Sequence, residues 1–181
     1  MKSSLLVVLS FFVLISCKNE KAETSSGEKE NNEVLHPNFT IEIIASAAQK
    51  DDFALYFTED NTINFTSENA LWTGIEPAKE NKLVFELKEE RVPTHIRVDL
   101  GLNKQQDSVV IYKMKLAYLN KSFEFKGSEF FQFFNQDPQF KTKLDPVNGT
   151  LTVYKNGDDY QTPFFYPNDQ LANSIKELII N

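Results

Sequence analysis

HIRVDL, residues 95–100, sets Ile96, Val98 and Leu100 against His95, Arg97 and Asp99 in strict alternation. Successive side chains of a strand leave on opposite faces, so this pattern directs the apolar set to a core and the polar set to the other side. The same period runs outward in both directions. Upstream, Leu83, Phe85 and Leu87 share a face, as do Phe53, Leu55 and Phe57, and Phe39, Ile41 and Ile43. Downstream, Val110, Tyr112, Met114, Leu116 and Tyr118 alternate with Ile111, Lys113, Lys115, Ala117 and Leu119, and Thr150–Tyr154 alternates once more. Each run is short and bounded by Gly, Pro, Asn or Asp, which is the mark of a strand. Few helical patterns intervene, so βαβ units are not expected, and an all-β antiparallel sandwich is.

The turns have local causes. Asn148-Gly149 and Asn156-Gly157 flank the strand from Thr150, and both dipeptides accept positive φ. Asp137-Pro138 and Asp145-Pro146 start turns. Asn168-Asp169 precedes Leu171, Ile175 and Leu178, a spacing that predicts a short C-terminal helix with an Asn or Asp N-cap.

Composition narrows the chemistry. Of 181 residues, 41% are hydrophobic and 25% charged, the balance of a globular chain. The net charge of −7, without a Lys/Arg cluster, argues against nucleic acid as a partner. A single cysteine, Cys17, closes no internal disulfide and builds no Cys-rich zinc site. The sequence holds no Gly-rich phosphate loop, HExxH or GxSxG, and it implies no cofactor. His95 belongs to the polar face of its strand, and His36 to the approach to the domain. Glu59-Asp60-Asn61 and Asn156–Asp159 are oxygen-rich, as calcium sites are, but lack EF-hand spacing and suit turns equally well.

The N-terminus reads as an address. Lys2 precedes an apolar run from Leu5 to Ile15. As helix it would span about 16 Å, too short for a ~30 Å hydrocarbon core and suited to a secretory signal. It ends in Leu14-Ile15-Ser16-Cys17, which resembles the bacterial lipoprotein signal. That resemblance implies cleavage before Cys17, fatty acylation of Cys17 (palmitate among the acyl groups) and attachment to a membrane. Lys18-Asn19-Glu20 is similar to the basic-then-acidic stretch that directs Bacteroidota lipoproteins to the outer face of the outer membrane, with Asn19 interposed. Lys18–Glu33 has Ala22 as its one apolar residue and cannot offset its ordering entropy. The expected organisation is a signal peptide over 1–16, a lipidated cysteine and linker over 17–37, and one domain over 38–181.

Arg97 and Asp99 stand two apart on one strand and so leave the same face. Together with the alternating strand Val109–Leu116, the stretch Ile96–Gly101 resembles a segment of carbohydrate-binding-like, galactose-binding-like jelly-roll sandwiches. The resemblance implies a groove in which a polar pair meets sugar hydroxyls. Trp72 is the expected stacking platform for a sugar ring, with Tyr154, Tyr160 and Tyr166 behind it; as residues of a packed core they would serve equally well. Sixteen Phe against six Tyr and one Trp speak for a core rich in rings. The segment Ser128–Phe140, SEFFQFFNQDPQF, is expected to cover an open end of the sandwich; exposed, it would be a docking patch. Asp107-Ser108-Val109 looks like the O-glycosylation site of Bacteroidota. The reading is a surface-anchored, non-catalytic binding module for a glycan. The alternative is an envelope assembly or adhesion subunit that docks a protein through the Phe-rich segment or the C-terminal helix. A third is a glycoside hydrolase, which needs two carboxylates placed across a cleft.

Overall fold

The structure, a computed structural model, describes residues 36–138, 142–152, 160 and 162–180. They form two antiparallel sheets around one hydrophobic core, an all-β sandwich closed by a C-terminal helix. The expectations attached to residues 1–35, including Cys17, and to Phe140, Tyr154 and Asn156–Asp159 lie outside the described residues.

The first sheet contains β1 (His36–Ala47), β4 (Asn81–Leu87), β6 (Ser108–Leu119), β7 (Lys121–Lys126), β9 (Lys143–Asp145) and β10 (Thr150–Thr152). Its order is β4-β1-β6-β10-β9, with β7 also on β6. The second contains β2 (Asp51–Thr58), β3 (Ala70–Ile75), β5 (His95–Asp99), β8 (Phe134–Gln136) and β11 (Phe164–Pro167), in the order β3-β2-β5-β11-β8. β1 starts at His36, so regular pairing begins within the stretch expected to be linker. The alternation read from β1, β2, β4 and β5 holds: Phe39, Ile41, Ile43, Phe53, Leu55, Phe57, Leu83, Phe85, Leu87, Ile96 and Val98 are all buried.

β6 departs from simple alternation. Val109 and Ile111 are buried, and so are Met114 and Leu116, while Tyr112 is exposed. Ala45 faces Ile111 and Ile44 faces Lys113, leaving Tyr112 as the extra residue of a β-bulge. The bulge marks a change of neighbour. One edge of β6 pairs with β7 over Lys113–Tyr118 and with β10 over Ser108–Val110. Between them, two glycines press on the Ile111 backbone. A Cβ at Gly127 or at Gly149 would overlap the Ile111 carbonyl. Gly149 also has φ +67°, closes the turn to Asp145, and accepts a hydrogen bond from the Ile111 N–H.

The second closure is aromatic. A short helix, α1 (Phe130–Phe133), leads into β8, and Phe130, Phe133 and Phe134 are buried. Phe130 stacks on Phe134 at 4.6 Å and meets Phe165 edge-on at 5.0 Å. Phe131 is half-buried against the same core. This segment thus serves as cover. Helix α2 (Asp169–Ile179) starts where Asn168 accepts from the N–H groups of Gln170 and Leu171. Leu171, Ile175 and Leu178 are buried, and the helix touches strands of both sheets. The apolar faces of both elements are spent inside the domain.

Replacing Gly127 by Ala forces the Ile111 carbonyl to move and is expected to cost about 2–3 kcal/mol. A Cβ at Gly74 meets a side-chain oxygen of Asp52 at 3.4 Å and the Asp51 carbonyl at 4.0 Å, ordinary contacts, so Gly74→Ala should stay within about 0.5 kcal/mol. Urea midpoints of the two variants check the contrast.

Candidate functional site

The outer faces of the two sheets differ in kind. On the first sheet, Glu42, Ile44 and Ser46 of β1 stand beside Lys82, Val84 and Glu86 of β4 and Lys113 and Lys115 of β6. Cross-strand ion pairs, Lys82 with Glu42 and Lys113 with Glu124, are exposed there. Such pairs contribute little and describe a face built for water.

The outer face of the second sheet is built of rings around a charge pair. The register places Trp72 of β3 beside Ala54 of β2, Ala54 beside Asp99 of β5, and Asp99 beside Phe164 of β11. In the next row Tyr56 of β2 lies beside Arg97, with Tyr166 of β11 near by. Period two explains the placement: the residues that alternate with the buried Leu55, Phe57, Ile96, Val98 and Phe165 must emerge here. Trp72, on the edge strand, is 50% exposed, and its ring meets Tyr56 edge-on at 6.5 Å.

Arg97 donates from Nε to Asp99 Oδ1 at 2.8 Å and from Nη2 to Oδ2 at 2.7 Å, a bidentate pair. Its guanidinium lies 4.2 Å from the Tyr56 ring, 5.3 Å from Phe164, 5.7 Å from Tyr166 and 5.8 Å from Phe65. Phe65 arrives from the loop between β2 and β3 and packs on Tyr166 at 5.9 Å. The rings shield the pair, leaving the two side chains 18% and 9% exposed. Burial pushes the Asp99 carboxyl above the ordinary carboxylate range, while the Arg97 hydrogen bond and charge pull it back only in part. For Arg97, burial lowers the guanidinium, and the Asp99 hydrogen bond and charge raise it by more. The two directions pull apart on the proton of Asp99. The two bonds of 2.7–2.8 Å have the fork geometry of an arginine–carboxylate pair, which burial makes easier for acid to break.

Of the residues expected in the site, Trp72, Arg97, Asp99 and Tyr166 share this one face. Tyr160 does not join them. Its hydroxyl donates to the Gly101 carbonyl at 3.2 Å, just past the end of β5. Beside it, Asp51 accepts from the N–H groups of Leu102 and Asn103 and from the buried Gln106 amide, tying the loop after β5 to the start of β2. Tyr160 is therefore part of a structural clamp. Tyr56, Phe65 and Phe164 were not among the expected site residues; Tyr56 was legible as the outward residue between Leu55 and Phe57, whereas Phe65 follows from no periodic signal.

Other candidates resolve locally. Asp60 accepts from the backbone and hydroxyl of Thr62, so Glu59-Asp60-Asn61 has a turn role. Among the described residues no three His, Cys, Asp or Glu side chains gather as metal ligands. The two buried acids among them, Asp51 and Asp99, are engaged by the loop amides and by Arg97. His95, on the outer face of β5, borders a groove of ≈ 300 Å³ against Ala172, Lys176 and Ile179 of α2. No helix among the described residues is long and apolar enough to cross a membrane. No family model, curated protein or solved structure matches the chain.

Burial, then the nearby Asp51, pushes the Tyr160 hydroxyl from an ordinary value of 10.0 up to about 12. A folded value raised above the unfolded one stabilises the fold fully below pH 10 and loses that contribution as pH rises to about 12. Absorbance titration at 295 nm should show one phenol ionising near pH 12, absent in Tyr160→Phe.

Proposed function

We propose that the protein is a lipid-anchored, surface-displayed binding module whose ligand is a glycan, held on the outer face of the second sheet. The observation that carries this reading is the asymmetry between the two outer faces. One is mostly charged surface, with Val84 and Tyr112 exposed singly on it. The other collects Trp72, Tyr56, Phe164 and Tyr166 around a half-hidden Arg97–Asp99 pair. Core packing supplies no reason for this, because these side chains point away from the core.

The chemistry suits a sugar. A pyranose ring offers an apolar face of C–H groups and an equatorial belt of hydroxyls. Exposed rings take the first, and fixed, shielded polar groups take the second. A rigid sheet holds both without an ordering cost at binding. The Phe-rich segment and α2, which would serve docking to an envelope protein, spend their apolar side chains in the core. The glycan reading is therefore preferred to the assembly or adhesion one.

The anchor is argued from Leu14-Ile15-Ser16-Cys17 and the charged stretch after it. Two or more acyl chains at Cys17 would hold the molecule stably to the outer membrane. Radiolabelled palmitate should enter the wild type in growing cells and not Cys17→Ser. Unlabelled wild type would remove the anchor from the reading.

For the glycan, affinity electrophoresis of the full chain through gels containing neutral polysaccharides is expected to show retardation. Trp72→Ala and Tyr56→Ala should each weaken it about tenfold, the effect of losing roughly 1.4 kcal/mol of ring contact. Retardation indifferent to both substitutions would place the ligand elsewhere.

A further inference from the structure

The charge of the face narrows the class of glycan, an argument that rests on the binding reading above. An arginine in a ring-lined site commonly awaits an anion. Here the anion is already built in. Asp99 takes the Nε–Nη2 edge of Arg97 through two short bonds, from a backbone position one row away on the same sheet face. An incoming carboxylate or sulfate would have to displace Asp99 or lie against its charge on the edge that Asp99 leaves unused. Displaced, Asp99 would stay buried without a partner, an arrangement that costs several kcal/mol. The pair as a unit carries no net charge.

Asp99 uses only part of the guanidinium. Asp99 is the sole hydrogen-bond partner that Arg97 has among the described residues. The Arg97 side chain stays 18% exposed and that of Asp99 9% exposed, so the pair keeps a narrow opening to solvent. The unused N–H groups of Arg97 can donate to hydroxyl oxygens, and the second lone pairs of Asp99 can accept from hydroxyls. That combination of donor and acceptor fits a diol. The surroundings add to the preference. Asp52 emerges from the same face of β2, and Glu59, Asp60 and Glu68 lie on the loop that carries Phe65. The one other arginine, Arg91, is paired with Glu59. Across β3, β2, β5 and β11 the face measures roughly 14 Å at three inter-strand spacings, more than one sugar ring needs.

We infer that the face takes a neutral oligosaccharide and rejects acidic ones, with Asp99 standing where the acidic group of a ligand would sit. Calorimetric titration of the full chain in detergent tests this. The probes are neutral hexasaccharides (glucan, mannan, xylan and galactan fragments) and hexagalacturonate, each at low and high salt. At least one neutral probe is expected to bind about tenfold or more tighter than hexagalacturonate, with an affinity that salt leaves unchanged. Asp99→Asn keeps the shape and removes the counter-charge. With its near-ultraviolet circular dichroism unaltered, it should gain about tenfold or more for hexagalacturonate. Hexagalacturonate bound by the wild type as tightly as any neutral probe, with an affinity that falls with salt, would overturn the inference and leave the glycan site standing. Silence from every probe would overturn the glycan reading and this inference together.

Discussion

A guanidinium placed on the outward side of a sheet has to be compensated, and much of the second sheet is organised by that requirement. Arg97 must leave β5 away from Ile96 and Val98, because period two allows no other side. Asp99, two residues on, meets it with two hydrogen bonds. Rings from three further segments then close around the pair: Tyr56 from β2, Phe164 and Tyr166 from β11, and Phe65 from the β2–β3 loop. Each ring-to-cation contact contributes on the order of 0.5–2 kcal/mol, and each ring also keeps water from the pair. The result is a fixed apolar plate with a polar centre, from which Trp72 projects at the edge.

The other described elements are held together by contacts of their own. The first sheet solves its own problem, three strands competing for β6, by a bulge at Tyr112 and two glycines against Ile111. The Phe-rich segment and α2 bury Phe130, Phe133, Phe134, Leu171, Ile175 and Leu178 in the core. The shielding of the Arg97 row comes from Tyr56, Phe65 and the β11 rings. The same strands therefore carry core packing on one face and the ring-shielded ion pair on the other. Phe57 and Ile96 pack inward while Tyr56 and Arg97, their chain neighbours, face out.

Strands with one wet face were legible in the sequence, because apolar and polar residues alternate in β1, β4 and β5. The helix was legible too, since Asn168 and the Leu171–Ile175–Leu178 spacing state both its start and its buried face. The strands that build the plate were harder to read for one physical reason. Ala70–Ile75 and Phe164–Pro167 carry apolar side chains on both faces, inward for the core and outward for the plate, so no alternation survives. Loss of the pattern was itself the signal. Trp72, Arg97, Asp99 and Tyr166 could be named from residue chemistry. Phe65 could not, because its position depends on a loop returning over β11, a long-range event with no local trace. Tyr160 was misplaced because a tyrosine's chemistry suits a clamp as well as a site.

The central claim is that the plate on the second sheet is where a glycan sits. The chain has a single tryptophan, Trp72, half-exposed on that plate, so its fluorescence reports on one place only. The decisive measurement is acrylamide quenching of Trp72 emission in the full chain, with and without saturating neutral oligosaccharide. The account predicts that the sugar shifts the emission to shorter wavelength and protects the indole from the quencher. An oligosaccharide shown by calorimetry to bind while Trp72 stays equally open to acrylamide would contradict it.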